Sequence, residues 1–154
     1  MDNFRKFLSL SWLDRWVLLR CMFALPLAAC ALRWFGLRRC RAFIERTLRK
    51  KTAAVQTIST VDEAQHVARL VRIAARRNLF PANCLQRSIV LWWLLRRRGI
   101  RSEIQFGCRA GDEGLEMHAW VECEGQVIGD RDDVRERFAP FAPNPNEVAI
   151  RTQQ

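Results

Sequence analysis

Cys84, His118 and Asp130 could together perform nucleophilic chemistry. Cys84 stands in "FPANCLQRSIVLWWLLRRRG", and the other two are the second and last residues of "MHAWVECEGQVIGD". A thiolate attacks a carbonyl carbon, an imidazole takes and returns the proton, and a carboxylate fixes the imidazole tautomer and steadies its charged form. The chain holds six cysteines and two histidines. Whether these three act depends on the elements that carry them.

Phe80-Pro81 interrupts the chain, and Asn83 is a good helix N-cap. Cys84 therefore falls in the first turn of a helix whose inward face reads Leu85, Ile89, Trp92 and Leu95. Gly99 after Arg96-Arg97-Arg98 ends it. Unpaired N–H groups at a helix start favour a thiolate and can hold an oxyanion. Position alone leaves a buried structural cysteine equally open.

After Gly99 the pattern changes to alternation. Ile100, Ile104, Phe106 and Cys108 share one strand face, and "GDEG" at 111–114 is a turn. Met117, Ala119, Val121 and Cys123 share the next strand's face, leaving His118, Trp120 and Glu122 on the other. If Cys123-Glu124-Gly125 is a three-residue loop with Gly125 left-handed, His118 lies opposite Asp130 on the same face. A two-residue loop pairs His118 with Arg131 and moves Asp130 to the opposite face. The sequence leaves both registers open.

The 154 residues suffice for one domain with a core. With 49% hydrophobic and 27% charged residues the balance is globular, and the net charge of +10 implies attraction to anionic partners. No nucleic-acid reading motif accompanies that charge, so no nucleic-acid partner is expected. The cysteines form no C-x-x-C pair and the histidines are few. A structural zinc site is not expected, and a reducing cytoplasm fits the spacing.

Residues 1–50 read as a hydrophobic and basic helical segment. The run Cys21–Leu32 lacks charge but is short for a membrane span, and Pro26 interrupts it. "LAAC" (Leu27–Cys30) resembles a lipoprotein processing site, yet helical spacing of Leu8, Trp12, Trp16 and Leu19 favours a folded helix. Tryptophans beside arginines also suit peripheral membrane contact through residues 4–40. Cys21, Cys30 and Cys40 read as small packing residues. Residues 51–60 form a linker. Thr60 and Glu63 make a capping box for a helix with Val67, Leu70, Val71 and Ala74 inward and Arg76-Arg77 at its end. His66 reads as a boundary residue. The expected division is 1–50, a core over 51–137, and a Pro-rich irregular tail over 138–154.

"CLQRSIVLWWLLRRRGI" followed by "MHAWVECEGQVIGD", with the helical start, resembles the transglutaminase-like cysteine peptidases that remove leader peptides in lasso peptide biosynthesis. The resemblance implies an α+β, papain-like core: a Cys-bearing helix packed on an antiparallel sheet carrying His and Asp, with an N-terminal helical segment. Cys84 would be the nucleophile, His118 base and then acid, and Asp130 the orienting residue. Asn78 could donate a second oxyanion bond or simply end its helix, and Trp120 could wall the cleft or pack. No metal or other cofactor is implied. The partners implied are the precursor leader peptide, a separate small leader-recognition protein and an ATP-dependent lasso cyclase. The first fifty residues do not read as a leader-recognition domain, which is why that protein is expected to be separate. An acyltransferase with the same triad and a non-catalytic peptide- or membrane-binding module are the alternatives. A cytoplasmic, membrane-associated location fits both the charge and the helices.

Overall fold

The computed structural model describes residues 11–49, 61–78, 81–112 and 114–141. Residues 4–10 of the expected membrane-contact segment, the 51–60 linker, Thr60 of the capping box and Phe80 lie outside these. Of three helices, α1 (Trp12–Arg49), α2 (Val61–Arg77) and α3 (Cys84–Arg97), the last two lie against an antiparallel sheet and α1 packs on both of them. The sheet runs β3-β2-β1-β4, with β1 Glu103–Gly111, β2 Gly114–Cys123, β3 Gln126–Ile128 and β4 Ala139–Pro140. A single turn of helix, α4 (Val134–Arg137), leads into β4.

α1 is two helical stretches meeting at Gly36, whose φ of 72° and ψ of 168° break the spiral. It buries Val17, Leu18, Cys21 and Leu25 against α2 and α3. The stripe the spacing picks out, Trp12, Trp16 and Leu19, faces outward instead. Large apolar side chains occur on its exposed side as well as its buried one, so periodicity does not say which side faces the core. Cys30 is likewise exposed rather than packed, while Cys21 is fully buried. The helix is long and apolar enough to cross a membrane, although its longest charge-free run reads as too short for that. A core helix of a soluble protein has the same length and composition.

Pro26 sits inside α1 and has no N–H for the carbonyl of Met22, four residues earlier. Asn78 supplies the missing donor: its Nδ2 reaches the Met22 oxygen at 3.3 Å. A second tie joins the same helices, from His66 Nε2 to Asp14 Oδ1 at 2.8 Å.

α2 buries Val67, Leu70, Val71 and Ala74, as its spacing predicts, together with Ala64 and Ala68. α3 is buried on more than its expected face. Ile89, Trp92 and Leu95 are joined by Val90, Leu91 and Leu94, because α1 and α2 cover one side and β2 the other. Gly99, with φ of 80°, closes α3: its N–H bonds the Arg96 carbonyl and that of Ile100 bonds the Leu95 carbonyl. Residues 138–141 do not open an irregular tail. β4 pairs with β1, and Phe138 packs with Trp120, Val127 and Val134 on the sheet face away from the helices.

The Met22 carbonyl makes a specific test of α1. Asn78→Ala removes its substitute donor and should cost about 1–3 kcal/mol, read as a lower Tm in calorimetry. Pro26→Ala restores a helical N–H at the same carbonyl. In the Asn78→Ala background it should recover most of the loss, and simple additivity of the two changes would show that they do not share Met22.

Candidate active site

Cys84 opens α3 under a complete capping box. The Asn83 side chain accepts from the Gln86 N–H at 2.9 Å, and the Gln86 side chain accepts from the Asn83 N–H at 3.1 Å. That exchange uses two of the helix's unpaired donors and leaves the N–H groups of Cys84 and Leu85 outside it. Cys84 is partly exposed. One turn later, Ser88 Oγ donates to the Ala119 carbonyl at 2.9 Å, which holds the start of α3 at the level of His118.

The hairpin joining β2 and β3 has two loop residues, not three. Cys123 pairs with Gln126, Glu122 with Val127 and Val121 with Ile128. Glu124 and Gly125 both take positive φ, 50° and 78°, the conformations a two-residue hairpin of this twist requires. The three-residue register is therefore wrong, and a continued strand would send Asp130 to the face away from His118. The strand does not continue. Gly129, with φ of 75°, ends β3 after Ile128 and redirects the chain. Asp130 Oδ2 then meets His118 Nε2 at 2.7 Å. The pair forms as expected, but through a glycine turn rather than a ladder position.

Helix α2 secures this turn. Gln65 Nε2 donates to the Val127 carbonyl at 2.8 Å, and its Oε1 accepts from the Gly129 N–H at 3.2 Å. A Cβ on Gly129 would stand 2.7 Å from that of Ala68. Sequence reasoning missed Gln65. The signal available was a lone amide on the face of α2 beside its apolar stripe.

A carboxylate can only accept, so the His118 proton shared with Asp130 is carried on Nε2, which leaves Nδ1 able to take a proton from a thiol. The other Asp130 oxygen accepts from the Arg131 N–H at 2.8 Å. Phe138 stacks on the imidazole with ring centroids 4.8 Å apart, and Trp120 lies at 6.2 Å. Gly107, opposite His118 in β1, makes room: a Cβ there would lie 3.0 Å from the Trp120 ring and 3.1 Å from Phe138. Phe138 is the second residue missed, being assigned to the tail.

Nearby acids are engaged elsewhere. Glu122 accepts from Trp120 Nε1 at 2.8 Å and pairs with Arg135 at 2.7 Å. Asp133 holds Arg131 through two bonds of 3.0 Å, which keep its carboxyl below the usual range. The Trp120 ring packs with Val127, Val134 and Phe138. With its neighbours Ala119 and Val121, Trp120 borders a narrow space of about 30 Å³ shared with Cys84, Arg87, Ser88, Gly129 and Asp130. Asn78 gives its amide nitrogen to Met22, which accounts for its position without the chemistry. Burial pushes the Cys21 thiol up to about 12 and raises that of Cys123 as well, which keeps both neutral and unreactive.

The transglutaminase-like superfamily model matches residues 24–142, so the chain belongs to that superfamily, whose members are typically cysteine-dependent enzymes. The chain is also similar to the microcin J25-processing protein McjB of Escherichia coli. The two are 34% identical over 65 residues, 42% of this chain and 30% of the relative's length. No solved structure matches significantly.

Two outcomes test this geometry. Gly129→Ala combines left-handed strain with the Ala68 contact and should cost about 2–4 kcal/mol. Gly125→Ala, with nothing within 4 Å of the new Cβ, should cost only about 1–2 kcal/mol in the same denaturant titration. Under iodoacetamide near pH 8, Cys21 and Cys123 should stay unmodified in the folded protein and react once it is unfolded.

Proposed function

We propose that this protein is a cysteine peptidase that removes the leader from a lasso peptide precursor. The observation that carries the reading is the His118–Asp130 pair at 2.7 Å, whose Asp130 lines the same narrow space as Cys84, a partly exposed cysteine at a capped helix start. Superfamily membership supports thiol chemistry. The likeness to a protein that processes microcin J25, a lasso peptide, supports the substrate class.

In this reading His118 takes the Cys84 proton through Nδ1, and the thiolate attacks the carbonyl carbon at the leader–core junction. The N–H groups of Cys84 and Leu85, which the capping box leaves free, would receive the tetrahedral oxyanion, and Asn78 is already bonded to the Met22 carbonyl. As the C–N bond breaks, the imidazolium gives its proton to the departing core amine, leaving a thioester on Cys84. His118 then takes a proton from water, which attacks the thioester. The leader leaves with a carboxyl end and the thiol regains its proton. Asp130 holds Nε2–H throughout and stabilises the charged ring. The freed amine is the group that a separate ATP-dependent cyclase joins to an Asp or Glu side chain. A separate recognition protein would present the leader, raising the rate through proximity and orientation.

Mass spectrometry of a lasso precursor treated with this protein and a leader-recognition protein tests the reading. Two fragments whose masses sum to the precursor plus one water are expected, whereas an amine-linked product would identify an acyltransferase. Cys84→Ala should abolish cleavage with the fold intact. Asp130→Asn should lower kcat by about 10³–10⁴-fold, and Asp133→Asn should leave it nearly unchanged. Full cleavage by the Cys84→Ala protein would refute the assignment.

A further inference from the structure

The cleft beside Cys84 contains a cation with an unmet hydrogen bond. Arg87 lies one turn along α3 from Cys84 and lines the same narrow space. Its Nε is out of contact with solvent and has no hydrogen-bond partner. The acid lining that space is Asp130, and both of its oxygens are taken, by His118 and by the Arg131 N–H. The exposed Arg72 of α2 adds a second guanidinium to the rim. Arg87 as a whole is partly exposed, so a small turn of the guanidinium can bring the unpaired donor to an acceptor in this space, and pairing there recovers the cost of the unmet bond. The space of about 30 Å³ admits a small group such as a carboxylate oxygen, not a bulky side chain. A guanidinium also matches a carboxylate's geometry better than any other common acceptor's.

We infer that Arg87 is a substrate-binding residue, and that it receives a carboxylate, the side chain of an Asp or Glu lying within a few residues of the scissile bond. The inference rests on the peptidase reading for the identity of the substrate, but the anion site can be tested without any peptide.

Iodoacetate and iodoacetamide alkylate the same thiol and differ in carrying a carboxylate or an amide. Their rates at Cys84 are read by peptide mapping, with exposed Cys30 in the same molecule as the internal reference. The iodoacetate-to-iodoacetamide ratio at Cys84 should exceed that at Cys30 by about tenfold. It should fall to the Cys30 value in Arg87→Gln and partly return in Arg87→Lys. A ratio unchanged by Arg87→Gln overturns the site. Should Arg87→Gln not fold, the wild-type protein still decides. Acetate should slow iodoacetamide at Cys84 while equal chloride and acetamide do not, and the absence of that difference overturns the proposal. Failure of precursor cleavage with the ratio intact would instead count against the peptidase reading.

Discussion

The left-handed turn at Gly129 is the constraint on which the candidate site depends. β3 has three residues, and its two-residue hairpin sets a register that would carry Asp130 away from the imidazole. One residue with φ of 75° reverses that outcome. The turn is held from outside the sheet. Gln65 bonds the carbonyl before it and the N–H within it, and Ala68 leaves space for a glycine and nothing larger. Helix α2 carries none of the reacting groups, yet it decides where the acid stands. This couples the helix layer to the site, because anything that shifts α2 moves Asp130 relative to His118.

The histidine is fixed by complementary means. Asp130 sets which nitrogen holds the proton, and Phe138 and Trp120 restrict how the ring can tilt. Phe138 in turn needs the missing Cβ of Gly107 and the pairing of β4 on β1. Other carboxylates near the site would compete for the imidazole if they were free. Glu122 is bound to the Trp120 indole and Arg135, and Asp133 to Arg131. The basic residues around the site thus serve partly to keep the wrong acids occupied, while in the cleft the Arg87 Nε has no partner among the described residues.

How much of this was legible in the sequence follows the range of each interaction. Local signals read well. Asn83 as cap, Gly99 as stop and the buried stripe of α2 each depend on neighbours within a turn or two, and each is where the pattern puts it. The order of a Cys-bearing helix followed by a His-bearing strand follows from the change of period at Gly99, whereas the α+β packing of one on the other was implied by the family resemblance. Long-range choices did not read. Nothing local distinguishes a two-residue from a three-residue loop around Glu124-Gly125, since either glycine-containing turn is allowed. The buried side of α1 is hidden because its outward side is also apolar. Gln65 and Phe138 act on partners sixty-odd and twenty positions away, so their roles appear only once the chain is folded.

The contrast between Cys21 and Cys84 shows what the fold adds to a residue type. Both are small sulfur side chains on helices beside apolar neighbours. Cys21 lies mid-helix, where every nearby N–H is spent on the spiral and burial penalises the thiolate, so the proton stays on. Cys84 lies where the spiral has not yet begun. Its capping box binds Asn83 and Gln86 to each other and leaves the N–H groups of Cys84 and Leu85 uncommitted. Had the cap consumed those donors, the helix would start equally well and offer an oxyanion nothing. The position of the cap therefore sets the number of free donors at the thiol, and with it whether a helix-start cysteine can support acyl chemistry at all.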